Sequence, residues 1–209
     1  HRTGSWSHRV ALAYDLTYEL MNDVERREVR KAITDNVVKG AHKTYVENNN
    51  ITGNTSNWIA MALGGSLMNQ TAMFGDGPDV EHLEPYFTGA ALKLYTFLNK
   101  VTGEDGAWGE GLGYNNYSFR NLSNSLPSLW NVMNIDMTPP LNGTYQEYIW
   151  AGLVKDRKYF YFGDTGGSLG NEENWAWLLD RNQDPLLGWY YNFLRDYQGE
   201  GELKQKQHY

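Results

Sequence analysis

The sequence predicts an all-α fold built of antiparallel helical hairpins, and three observations carry that expectation. Apolar residues recur at helical spacing from one end to the other, cap signals stand where those runs begin, and strand signals are nearly absent. Val10, Ala13, Tyr14 and Thr17 make the first stripe at i, i+3, i+4, i+7. Asn22 and Glu25 then form a capping box, with Val29, Ile33 and Val37 behind it at steps of four. Gly40 and the polar tract 47–53 are expected to close that helix and make a loop. A third helix starts near Asn57 and carries Ile59, Ala62, Leu63 and Leu67. Gly64 and Gly65 lie inside it, which costs helix stability unless a neighbouring backbone must come close.

A fourth helix follows Asp79, with Ala90, Leu94, Phe97 and Val101 on one face. Residues 103–113 read as a glycine-rich loop. The fifth helix begins at 114–117 and continues through Leu122, Leu129 and Met133, with a kink expected at Pro127. Shorter helices are expected at 145–154 and 171–179, and a last one at 185–197, where Asp184 is the N-cap and Pro185 the first helical residue. Residues 158–162 are the one plausible extended run. Successive helices joined this way pack as antiparallel hairpins. One domain is expected over residues 1–198, and 199–209 read as a polar tail that frays.

Composition narrows the function. The 209 residues suffice for one domain with a core, and a 41% hydrophobic content argues against disorder. Fifteen Tyr and eight Trp pair flat apolar faces with polar handles, which suits both core packing and stacking on sugar rings. A formal net charge of −7 argues against nucleic acid, though an anionic sugar polymer can still meet local positive charge in a cleft. With no cysteine there is no disulfide framework, thiol nucleophile or thiolate metal site. His1, His8 and His42 have no metal-like spacing, so neither metal nor cofactor is expected. No apolar run approaches a membrane span, and no membrane partner is expected. The chain opens directly on HRTGSWSHRV without a signal peptide and reads as a mature or excised piece. Six Asn-x-Ser/Thr sequons, at Asn50, Asn54, Asn69, Asn116, Asn121 and Asn142, are read as chance in an Asn-rich chain.

Two segments could carry chemistry. At the helix start, Ser56 or Asn57 is a natural N-cap. A helix N-terminus also concentrates N–H donors and positive dipole where a carboxylate could dock, and the Asn57 amide could add a hydrogen bond. Residues 105–117, DGAWGEGLGYNNY, pack four glycines with Trp108, Glu110, Tyr114 and Tyr117. Glycines allow a backbone to approach a ligand closely, and Tyr114 and Tyr117 share a helical face at i and i+3. A tyrosine hydroxyl serves as a base only if nearby positive charge lowers its pKa, and Arg120 is the obvious cation. The bland alternative is a turn with packed aromatics.

Asn57-Trp58 with the Gly64-Gly65 helix, then EDGAWGEGLGYNNY, then KYFYFGDTGG, in that order, resembles the heparinase II/III-like polysaccharide lyase family over residues 8–197. The resemblance implies part of an (α/α) toroid, an incomplete barrel, and β-elimination of a uronic-acid polysaccharide. It implies Asn57 as the group that neutralises the substrate carboxylate and Tyr114 as acid and base. Trp58, Trp108, Glu110, Asn116, Tyr117 and Arg120 are the expected substrate-binding residues. Many relatives place a His beside the neutralising Asn, where this chain has Trp58. The expected partners are an anionic polysaccharide, the remainder of the toroid and a C-terminal β-sandwich, and the expected location is periplasmic or secreted. Two other readings stay open. A toroid glycoside hydrolase would use Glu110 with Asp105 or Asp164 as its carboxylate pair, and a non-catalytic carbohydrate-binding piece would use the aromatics only to stack on sugars.

Overall fold

The computed structural model describes residues 2–48, 55–104, 106–146 and 173–200. The described part is all-α, with no strand and a single isolated bridge between Thr102 and Trp108. The expected extended run at 158–162 and most of the helix expected at 145–154 lie outside the described residues.

Helix α1 (Arg2–Thr17) ends in a 3-10 turn and leads to α2 (Asp23–Ile33). The capping box at the start of α2 is present. Asn22 Oδ1 accepts from Val24 N and Glu25 N at 3.0 Å each, and Asn22 N donates back to Glu25 Oε2 at 2.8 Å. Contrary to the sequence expectation, Gly40 does not close this helix. The chain continues helically through a π segment (Thr34–Val38), the short α3 (Lys39–Ala41) and a second π segment (His42–Glu47). Burial of Val37, Val38 and Tyr45 on this stretch outweighs the roughly 1 kcal/mol that a helical glycine costs.

Helix α4 (Asn57–Ala72) is the hub. Thirteen of its sixteen residues are buried, so it has no solvent face, and its apolar and small residues are packed on all sides. Next come a 3-10 turn (Pro78–Leu83), α5 (Glu84–Val101), α6 (Leu112–Met133), α7 (Glu173–Asn182) and α8 (Pro185–Glu200). Helix α6 passes through Pro127 without ending and stops at Asn134, whose left-handed conformation (φ 53°) turns its N–H back to the carbonyls of Leu129 and Trp130.

Side-chain pairs fix the directions of these helices. Along α4 and α6, Asn57 meets Glu110, Met61 meets Tyr117 and Gly64 faces Ser125, so the two run parallel. Along α1 and α4, Ser7 meets Gly65 and Asn69, while Tyr14 reaches Asp76 just past the end of α4, so these run parallel too. Helix α2 runs back along α1, with Arg30 on Tyr14 and Arg26 on the Tyr18 carbonyl. The end of α5 is pinned beside the start of α4, because Gly109 N donates to Val101 O and Glu110 follows directly. Helix α5 is therefore antiparallel to α4, and it packs in parallel on the α2 continuation, with Tyr86 and Gly89 against His42. The result is a parallel row α1–α4–α6 backed by a row of return helices, linked as the expected antiparallel hairpins.

The glycine pair explains how closely the front row packs. A Cβ on Gly65 would lie 1.8 Å from Ser7 Oγ and 2.9 Å from Ser7 Cβ, so no rotamer of Ser7 clears it. Asn69, fully buried, locks the same contact by donating to Ser7 O at 2.7 Å and Gly65 O at 2.8 Å. The sequon at Asn69 is therefore closed to a glycan in the folded chain. Gly65→Ala is expected to lower stability by about 1–3 kcal/mol despite alanine's better helix propensity. Adding Ser7→Gly should recover part of the loss. A double-mutant cycle from chemical denaturation reads the coupling, and strict additivity would contradict this packing.

Candidate functional site

The start of α4 and the loop leading into α6 meet at one end of the parallel row. Ser56 is the N-cap of α4, accepting from Trp58 N at 3.3 Å, which leaves the Asn57 side chain free of capping duty. Asn57 is 4% exposed, and its Nδ2 donates to Glu110 Oε1 at 3.1 Å across 53 residues of sequence. The Asn57 side-chain carbonyl oxygen is buried and has no hydrogen-bond partner among the described residues. Two parallel helices begin here, so their first-turn N–H groups and positive dipole ends lie on the same side of the molecule.

The loop before α6 is held by its own backbone. Gly103 N donates to Ala107 O at 2.8 Å, Gly106 N to Gly103 O at 3.0 Å and Gly111 N to Trp108 O at 2.8 Å. Gly106 has a positive φ of 85°, and a Cβ there would lie 2.3 Å from Gly143 O. The glycine at this position thus serves a close approach within the protein, rather than the approach to a ligand expected for this loop.

Tyr114 and Tyr117 lie in the first turns of α6, partly buried. The Tyr117 hydroxyl donates to Met61 Sδ at 2.9 Å, one turn along α4 from Asn57. Burial pushes the Tyr117 pKa up, and the Tyr114 hydroxyl adds to that push, while Arg120 pulls the other way. Burial wins. Arg120 does pull the Tyr117 pKa down, as its spacing suggested, but burial outweighs it and Tyr117 stays protonated at neutral pH. Arg120 itself is exposed.

Trp108 requires a second correction. It is 1% exposed and forms edge contacts with Phe97 at 5.8 Å and Phe119 at 6.0 Å. Phe119 stacks on Trp175 at 4.3 Å, and Trp175 meets Tyr190 at 6.0 Å. Enclosed in this aromatic core, Trp108 offers nothing to a sugar ring. Trp58, at 38% exposure beside Asn57, keeps an open surface. Asn116 spends its carbonyl on Asn174 Nδ2 at 2.7 Å, tying α6 to α7.

The structure therefore gathers Asn57 and Glu110 in direct contact, sets Tyr117 one turn further along α4 and places Trp58 at the rim. It adds Met61, Asn115 and Asn174, which the sequence did not flag. Asn115 is fully buried with both amide ends lacking a hydrogen-bond partner among the described residues, and its only sequence signal was its position between two expected site residues. His8, which could reach a site only through tertiary contact, packs beside Gly64 and Gly65, about two turns along α4 from Asn57. Asp105, Asp164 and the FGD segment lie outside the described residues. Among the described residues, no group of three His, Asp or Glu could hold a metal, and no helix is long and apolar enough to cross a membrane. No protein-family model matches the chain, and no curated protein matches it.

Proposed function

We propose that this chain is part of an (α/α)-toroid polysaccharide lyase that cleaves a uronic-acid polymer by β-elimination. The observation that carries the reading is the Asn57–Glu110 hydrogen bond. It joins two sequence segments singled out for their order along the chain, and joins them where two helices start. The parallel front row with antiparallel return helices supports the toroid, because repeated hairpins of this kind curve into a ring of inner and outer helices.

The chemistry follows from the substrate. The C5 proton of a uronate is weakly acidic, and its removal piles charge onto the neighbouring carboxylate. Hydrogen-bond donors fixed beforehand stabilise that charge without reorganising. Asn57 Nδ2 has two N–H groups and gives one to Glu110. The second, reinforced by the positive end of the α4 dipole, is the proposed donor for the substrate carboxylate. Glu110 orients the amide. The step requires Tyr114 to enter it ionised: the phenolate takes the C5 proton and, as the phenol so formed, gives it to the glycosidic oxygen as the C4–O bond breaks and the C4–C5 double bond forms. Trp58 and Arg120 contact the polymer, the first by stacking and the second by charge.

A rise in ultraviolet absorbance from the unsaturated uronate product, when the natural full-length polypeptide meets a panel of uronate polymers, is the expected result. Reducing sugar released without that rise would favour hydrolysis, with Glu110 as one of the two carboxylates. Glycan affinity with no turnover would leave only a binding role.

A further inference from the structure

We propose that the cleft between the C-terminal half of α6 and α7 is a binding site for a neutral saccharide, separate from the Asn57 end. Trp130 lies sixteen residues beyond Tyr114 on the same helix, about 24 Å away along its axis. The cleft measures about 360 Å³, within the range of small-ligand sites. Its walls combine two tryptophans, Trp130 and Trp177, with the polar side chains of Asn131, Asp180, Arg181 and Gln183. Indole rings beside carboxylates, amides and a guanidinium match a sugar, whose C–H face packs on apolar ring surface and whose vicinal hydroxyls both donate and accept.

One wall is fixed before any ligand arrives. The Arg181 guanidinium lies 3.4 Å from the centroid of the Trp130 ring and donates to Asp136 Oδ2 at 2.8 Å. Asp136 Oδ1 accepts from Thr138 N at 2.9 Å and Thr138 Oγ1 at 2.7 Å. Trp177 is held by its own Nε1, which donates to Asn174 O at 2.8 Å, and by a tilted contact with Phe119. A wall already ordered spares the ligand the entropy of ordering it.

Charge selects the ligand class. Among the described residues the lining holds one cation, Arg181, against two carboxylates, Asp136 and Asp180, and the cation is already paired. An anionic uronate or a phosphate meets net repulsion here, whereas a neutral hexose does not. Asp180 has open acceptor capacity for sugar hydroxyls, and it is exposed.

The test titrates the full chain with maltohexaose and cellohexaose, following tryptophan fluorescence, with trigalacturonate and adenosine as competitors of other chemistry. Saturable binding of a neutral hexasaccharide is expected, with Kd on the order of 1 mM or tighter. Asp180→Ala should weaken it about tenfold without moving the thermal midpoint. Trp130→Ala should abolish it, and Asn57→Ala should leave it unchanged. The proposal is overturned if neither hexasaccharide saturates, if Asp180→Ala binds like wild type, or if trigalacturonate or adenosine displaces the hexasaccharide and binds the Asn57→Ala chain more tightly than it does. None of these readouts involves turnover, so failure here leaves the β-elimination reading standing, and loss of that reading leaves this one.

Discussion

Trp108→Ala is expected to cost about 3–5 kcal/mol of folding stability, read as a fall in denaturant midpoint at unchanged slope. The residue is 1% exposed, so truncation opens a cavity that its neighbours cannot fill by small movements. It also breaks a chain of rings. Phe97, Trp108, Phe119, Trp175 and Tyr190 touch in sequence, each pair adding about 0.5–1.5 kcal/mol beyond its buried area. Those rings come from α5, the glycine-rich loop, α6, α7 and α8, so the loss is shared by most of the larger core. Trp58→Ala gives the contrast. At 38% exposure its removal should change stability by about 0.5 kcal/mol or less and act instead on polymer affinity. Equal stability effects for the two variants would mean that the core placement of Trp108 is wrong.

That contrast marks where the sequence could be read and where it could not. Helical spacing and caps are local properties, so the Asn22–Glu25 box, the start of α4 at Asn57 and α1 as a helix were legible, although α1 buries Ser7, His8, Ala11 and Tyr14 and leaves Val10, Ala13 and Thr17 of the expected stripe exposed. The Gly64-Gly65 pair was legible as a sign of close approach, and the structure supplies the partners, Ser7 on one side and Ser125 on the other. Gly40 misled because a glycine's local helix penalty is small beside the burial of Val37, Val38 and Tyr45 around it. Trp108 misled for a different reason. A tryptophan between glycines in a loop looks the same in sequence whether its ring faces a cleft or the core, and only long-range packing decides. The same holds for the contact between Asn57 and Glu110. Order along the chain singled out both segments, yet nothing local fixes which atoms meet across 53 residues. The parallel row was also invisible, since the sense of α1 and α6 relative to α4 depends on return helices whose contacts are distant in sequence.

On the proposed mechanism, Tyr114→Phe is expected to reduce the rate of unsaturated-product formation by about 10²–10⁴, with KM little changed, because it removes only the hydroxyl assigned the proton transfer. The ring remains, so packing at the start of α6 is preserved and the thermal midpoint should hold. Tyr117→Phe separates the two hydroxyls. Its loss deletes the hydrogen bond to Met61 Sδ, a contact between α6 and α4, and should act modestly on stability while leaving most of the rate. On the same proposal Asn57→Ala removes the donor assigned to the developing charge, an expected loss of about 10²–10³ in kcat, and it also strips Glu110 of its Asn57 hydrogen bond. Asn57→Asp is the sharper variant, since it sets a second carboxylate against both Glu110 and the substrate carboxylate while keeping the side chain's shape. It should therefore be the slower of the two, and more so as pH rises and the new acid ionises. If Tyr114→Phe retained wild-type turnover while Asn57→Ala did not, proton transfer would have to be assigned elsewhere and the carboxylate-binding role of Asn57 would stand alone.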